Sequence, residues 1–283
     1  RCLFGVDRDP MAVEMAKLSL WLTTMSRERP FTFVDHAIRA GDSLLGITDL
    51  EQVTAFHMDP ARGRALHKDL FVDLHAAIKP VIDEALDLRR QIAARPVITV
   101  RDVQRKDELN SRASAALAEA TTLADLVVGA ALVSEGKDQR LDQLLQSVQA
   151  KVSSALELSG EARSDAFVAL GRQAQEWLNL GRPDAAPPRR PLHWPLAFPE
   201  VVVSGRFSAM VGNPPFQGGK KISGPNGTDY REYLTRWIAY GRKGNADLVT
   251  FFFLFAARVA EGFGFIATNT IAQGETREVG LDW

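Results

Sequence analysis

The residues with the most evident chemistry stand in "NPPF", Asn213 to Phe216, directly after the apolar run "FSAMVG". Proline fixes its own φ and biases the residue before it toward extended backbone, so the tetrapeptide is a stiff corner. Pro214 and Pro215 have no N–H, which leaves carbonyls there without a local donor, and Asn213 adds a side-chain carbonyl. Two acceptors then converge beside the flat face of Phe216. A planar heteroaromatic amine fits that arrangement, with its N–H bonds on the acceptors and its ring on the phenylalanine. Its nitrogen lone pair is left turned toward a neighbouring electrophile. The plainer alternative is a rigid loop whose Phe216 packs inward.

A second constellation is acidic. Asp7 closes "LFGVD" and Asp42 closes "HAIRAGD", each where a short apolar run stops. In an open parallel sheet, ligands bind beyond the carboxyl ends of the strands. One carboxylate there can accept both hydroxyls of a ribose, and another can accept the exocyclic amine of an adenine. The pair therefore suits an adenosine-type cofactor, although each acid could instead cap a helix or turn. In "GVDRDP" Asp9 suits the N-cap, with Pro10 at the first helical position, which leaves Asp7 for a ligand. No GxGxxG or Walker A sequence occurs, and "GFGF" at Gly262–Phe265 precedes a strand instead of following one. The chain opens on "RCLFGVD" without an initiator Met and reads as an excised segment, with any Gly-rich cofactor loop expected upstream of Arg1.

Three textures must position these residues. Residues 1–50 read as strand, turn, helix, strand, with Met11, Met15, Leu18 and Leu22 at helical spacing. Residues 51–190 are rich in Ala, Leu, Glu, Gln and Arg, have no proline between Val97 and Arg182, and suggest two to four long helices turning near Gly136 and Gly160. They close in "GRPDAAPPRRPLHWPLAFPE", a Pro-rich connector expected to be non-helical, with Trp194 packing it against the sheet. Residues 191–283 return to strand–helix alternation: a strand at Phe207–Val211, a helix in "YREYLTRWIAY", and a helix capped by Asn245 and ended by Gly262. "FGFIATNT" is the next strand. The pattern predicts an α/β fold, an incomplete Rossmann-like parallel sheet interrupted by a long α-helical insertion.

Composition sets the outer limits. Of 283 residues 46% are hydrophobic and 24% charged, with a formal net charge of −1, so any nucleic-acid contact must come from a local patch. That patch is Lys220, Lys221, Arg231, Arg236, Arg242 and Lys243, set against Asp229 and Glu232 just after the tip; such a loop could grip phosphates or be simply solvated. Cys2 is the single cysteine, which excludes an intrachain disulfide and fits a cytoplasmic location. The five histidines fall in no metal-ligand spacing, so no metal is expected, and no apolar run reaches membrane-spanning length.

"NPPF" after a strand, with "GVDRDP" and "GDSLLG" ahead of it, resembles the class I S-adenosylmethionine-dependent amino-methyltransferases. The longer stretches "HWPLAFPEVVVSGRFSAMVGNPPFQGGKKISG" and "ADLVTFFFLFAARVAEGFGFIATNTIAQGETREVGLD" resemble the adenine-specific DNA methyltransferases of restriction-modification and phage-defence systems. The resemblance implies S-adenosyl-L-methionine as cofactor, its ribose on Asp7 and its adenine amine on Asp42 near Leu44. It implies double-stranded DNA as partner, with the flipped adenine held by Asn213 and the Pro214 carbonyl, stacked on Phe216, and attacking the methyl group in line. Other restriction or defence subunits are the further partners it suggests. A side-chain amide offers the same planar NH₂, so RNA or protein glutamine remains an alternative target, and a non-catalytic helical docking subunit an alternative role. With the Gly-rich loop and a target-recognition domain absent, the segment alone is expected to be inactive and the intact parent active.

Overall fold

Strand β1 (Gly5–Asp7), helix α1 (Pro10–Thr24) and strand β2 (Ile38–Ala40) form the first unit of the computed structural model, which describes residues 3–24, 34–67 and 74–280. Asp9 accepts from the Met11 N–H at 2.8 Å and Pro10 opens α1, as a capped helix start requires. β1 and β2 pair in parallel, Gly5 opposite Ile38 and Asp7 opposite Ala40, so both strand ends point the same way. Val13 and Lys17 of α1 are buried, while Met11, Met15, Leu18 and Leu22 share an exposed stripe.

The helical block holds α2 (Glu51–Thr54), α3 (Pro60–Leu66), α4 (Leu74–Ala94), α5 (Val100–Ala116), α6 (Ala118–Val133), α7 (Asp138–Glu157) and α8 (Gly160–Asn179). Five of these are long, one more than the sequence suggested at most. The break before α5 is a capping box, in which the Thr99 side chain accepts from the Asp102 N–H and the Asp102 carboxylate from the Thr99 N–H. α5 and α6 are separated only by a 51° bend at Leu117. α6 is apolar over its second half and is the centre of the block: Leu126, Val127, Val128, Ala130, Ala131 and Leu132 have no exposed surface. No single helix among the described residues is long and apolar enough to cross a membrane.

The connector returns beside its point of departure. Asp42 N–H donates to the Arg190 carbonyl (2.8 Å), Leu192 N–H to Leu45 (2.8 Å) and Trp194 N–H to Ile47 (3.1 Å). Gly46 makes this possible: its φ is +153°, and a Cβ there would meet the Leu192 carbonyl oxygen at 2.1 Å. Contrary to expectation, the connector ends in two short helices, α9 (Trp194–Ala197) and α10 (Pro199–Ser204). Pro195 and Pro199 fall in the first turns, where a missing N–H breaks no helical bond. Trp194 packs on Phe198, Phe207 and Phe255, and its indole donates to the Ser43 carbonyl at 3.0 Å.

Strand β3 (Phe207–Gly212) leads to α11 (Ser223–Asn226), α12 (Thr228–Tyr233), α13 (Leu248–Val259), strand β4 (Ala260–Phe265) and α14 (Gly274–Gly280). The helix expected over "YREYLTRWIAY" is α12 followed by a π turn at Leu234–Ile238. Asp247, not Asn245, caps α13 by accepting from Val249 N–H at 3.1 Å. α13 stops at Val259, and Gly262 lies inside β4, paired with Ala209 of β3 in a parallel ladder, so the strand begins earlier than expected.

The sheet also departs from the expectation. Among the described residues there are two separate parallel pairs, β1–β2 and β3–β4, in a mixed α/β and mainly helical fold, not one Rossmann-like sheet. The pairs approach across aromatic rings, Phe4 standing edge-on to Phe198 (5.1 Å) and Phe207 (6.0 Å).

Candidate active site

A cleft of about 610 Å³ opens between the two strand pairs, and Asp7, Arg8, Asp42, Asn213, Pro214 and Pro215 all line it. Residues read separately in the sequence thus share one cavity. Its walls are largely apolar, from Val6 and Met210 to Phe252 and Phe255. A second cavity of about 440 Å³ between α7 and α8 is lined mainly by aliphatic side chains and offers no acid.

The tip forms where the β3–β4 ladder ends. Gly212 pairs with Phe265, and its carbonyl takes the Ile266 N–H at 3.1 Å. Beyond it Pro214 is buried as an anchor, whereas Asn213, Pro215 and Phe216 are exposed. Phe216 is 48% exposed and not packed into the core, and the Asn213 amide has no hydrogen-bond partner among the described residues. Gln217 fastens the returning chain: its N–H donates to Asp247 Oδ1 (3.1 Å) and its carbonyl accepts from Leu248 N–H (2.9 Å). Gly219 lies against this turn so closely that a Cβ would stand 2.3 Å from the Asn245 carbonyl carbon.

The two acids differ in character. Asp7 is exposed and accepts the Asp9 N–H at 2.8 Å through Oδ1, so it also serves its own turn. Asp42 is buried, and its carboxylate accepts from the Leu44 N–H (3.1 Å) and from the Tyr230 hydroxyl (3.0 and 3.1 Å to its two oxygens). Arg8 Nε stands 3.9 Å away. Burial pushes the Asp42 carboxyl above the ordinary carboxylate value, and Arg8, the Leu44 and Leu45 N–H groups and Tyr230 pull it partly back. Burial, and then the Asp42 charge, hold the Tyr230 phenol well above its usual range, so it remains a donor. Leu44 itself is a buried core residue that supplies this backbone N–H.

Tyr230, Arg8 and Asn226 escaped the sequence reading. Tyr230 is 188 residues from Asp42, and "TDYREY" shows only helical spacing, so no local signal marks it. Of the basic residues, Lys221, Arg242 and Lys243 are exposed, and the Lys220 side chain lies outside the described residues. Arg231 is half-buried and donates to Asn245 Oδ1 at 2.9 Å. Arg236 faces the helical block, paired with Asp138 of α7 at 2.9 Å. The buried His57 and His193 engage Asp142 (3.3 Å) and Asp125 (2.9 Å). Among the described residues no group of three His, Cys, Asp or Glu could hold a metal ion.

Two parallel strand pairs of a mixed α/β fold thus turn their acid-bearing and tip-bearing ends toward one cleft. The chain belongs to the Eco57I restriction-modification methylase family, whose model matches residues 1–279. A protein of Methanocaldococcus jannaschii named "Putative type II restriction enzyme and methyltransferase" is 24% identical over 226 residues, covering 76% of this chain and 18% of that relative. The chain therefore spans less than a fifth of the relative's length. No solved structure matches it.

Proposed function

We propose that this chain carries the methyl-transfer site of a DNA methyltransferase acting on the exocyclic amine of adenine, with S-adenosylmethionine as donor, in a restriction-modification or phage-defence system. The observation that carries the reading is the single cleft shared by Asp7, Asp42 and the Asn213–Pro215 corner. Family membership supports methylation as the chemistry.

The residues present fit the cofactor. A cavity of about 610 Å³ lies within the usual range for small-molecule sites, roughly 300–1,000 Å³. The Leu44 and Leu45 N–H groups and the Tyr230 O–H act on the Asp42 carboxylate, and Arg8 at 3.9 Å is beyond hydrogen-bond distance; a carboxylate offers about four lone-pair positions, so room remains for an amine. When bound, S-adenosylmethionine supplies an electrophilic methyl group on its sulfonium. Asp7 binds the ribose, and Asp42, oriented by Tyr230 and the Leu44 N–H, accepts from the adenine amine.

At the other end the Asn213 carbonyl and the Pro214 carbonyl accept the two N–H bonds of the target amine, which turns its lone pair into the cleft. Phe216 stacks on the base, and its exposure is what a base extruded from a duplex requires. Such chemistry depends on placement above all. Lys221, Arg242 and Lys243, all exposed beyond the tip, contact phosphates flanking the extruded base. The intact protein, incubated with methyl-labelled S-adenosylmethionine and unmethylated duplex DNA, should yield N6-methyladenine. Label found only in RNA or in protein glutamine would overturn the reading.

A further inference from the structure

Between the acid that ends the β2 region and the tip that ends β3 runs a chain of polar contacts, buried at Asn226 and more open at its Arg8 and Gln217 ends, whose members mostly lie outside the cleft. Arg8 stands beside Asp42 and donates through Nη1 to Asn226 Oδ1 at 2.8 Å. Asn226 Nδ2 donates to Gln217 Oε1 at 3.2 Å and to the Ile222 carbonyl at 3.1 Å. Gln217 Nε2 donates in turn to the Lys221 carbonyl at 2.9 Å. Gln217 is the neighbour of Phe216, and its backbone is fixed at both ends by the start of α13.

The direction of every bond here is determined. A guanidinium can only donate, so the oxygen of the Asn226 amide must face Arg8 and its nitrogen must face Gln217. The Asn226 backbone is fixed as well: its carbonyl accepts from Arg189 Nη2 at 2.5 Å, and Arg189 is gripped by both Asp229 oxygens at 2.5 and 2.8 Å. Asn226 is only 5% exposed and does not line the cleft, so it can act on the reaction only through its neighbours.

We propose that Asn226 is a positioning residue, a strut that joins Arg8 beside Asp42 to Gln217 beside Phe216 and so fixes the distance between the two ends of the cleft. The inference rests on the methyl-transfer reading above, in which those ends hold the two reactants. Misplacing reacting groups by about 1 Å can cost about a hundredfold in rate. A strut of this kind should therefore show in kcat and not in the affinity for either reactant.

The test uses the intact protein with Asn226→Leu, Gln217→Leu, the double variant and Asn226→Asp. S-adenosylmethionine affinity is measured by calorimetry, base extrusion by 2-aminopurine fluorescence at the target position, and kcat by methyl incorporation. Asn226→Leu should lower kcat about tenfold or more while the cofactor Kd moves less than about threefold. Gln217→Leu, cutting the other end, should lower kcat similarly, and the double variant should be no worse than either single. Asn226→Asp keeps the Arg8 contact but sets a carboxylate oxygen against the Ile222 carbonyl and Gln217 Oε1, so it should lower kcat as the leucine variant does, again with the cofactor Kd little changed. If Asn226→Leu does not fold, Gln217→Leu carries the comparison. A lowered melting temperature with kcat of the folded fraction unchanged, or losses that multiply in the double variant, would overturn the strut alone. A wild-type protein that neither binds S-adenosylmethionine nor methylates DNA would overturn the cleft's reading and the strut together.

Discussion

The helical block and the cleft are held by opposite means. In the block, α6 is surrounded by aliphatic side chains, and the charged pairs Arg62–Asp142 and Arg163–Glu119 lie toward its surface. Around the cleft, apolar walls carry a few directional polar contacts that hold the site residues: Tyr230 on Asp42, Arg8 on Asn226, Gln217 on Asp247. Apolar burial is non-directional and tolerates small shifts, whereas a hydrogen bond fails beyond a few tenths of an ångström. The block should therefore govern whether the protein folds, and the cleft how well its parts are aimed.

The widest separation of the two regions should come from Asn213→Ala. It removes one acceptor from an exposed corner, so methyl transfer should fall about a hundredfold or more while the melting temperature stays within about 2 °C. Leu126→Ala should do the reverse, costing about 2–5 kcal/mol of stability in denaturant titrations with cofactor affinity of the folded protein unchanged. A loss of affinity in that variant would mean that the two regions are not independent.

A finer contrast lies in pH. Asp42 has a folded-state pKa above the ordinary 3.8, so the native state holds its proton more readily than the unfolded chain. Its contribution to stability is thus largest below the ordinary value and is lost as pH rises through the raised one. Cofactor binding needs the ionised acceptor and should weaken as pH falls through that same raised value. Asp42→Asn should flatten that pH dependence and weaken binding about tenfold at neutral pH, without destabilising the fold. Asp138, whose pKa is lowered first by its bond from Arg236, should behave oppositely, with stability lost as pH falls below the ordinary carboxylate range. The smallest effect belongs to the basic rim: Lys221→Gln and Lys243→Gln should each reduce the salt slope of DNA binding by about 1, and an unchanged slope would remove them from the interface.

What could be read from the sequence was local. The corner at Asn213–Phe216, the acids at two strand ends and the turns at Gly136 and Gly160, with φ of +74° and +59°, each follow from a few adjacent residues. The capping box at Thr99 was equally local, yet went unread because the helical texture continues past it. Choosing Asp247 over Asn245 as the α13 cap needed the partner N–H on Val249, which composition does not show. Tyr230 and Asn226 were beyond reach, because their roles rest on partners 188 and 218 residues away. The parallel sense of the strand pairs was legible in the strand–helix alternation, but their division into two separate pairs was not: apolar runs announce strands, and only long-range contacts assign their neighbours.

The meeting of Leu45 and Ile47 with Leu192 and Trp194 has a consequence for how such a chain can be assembled. Closing a flexible excursion of about 140 residues would cost about 4 kcal/mol, a figure that rises only with the logarithm of its length. Here the excursion brings its own exits back side by side. Turns could be added to or trimmed from its far bends, as at Gly160, where a Cβ would meet nothing, without moving the strand ends that hold the acid and the corner in place.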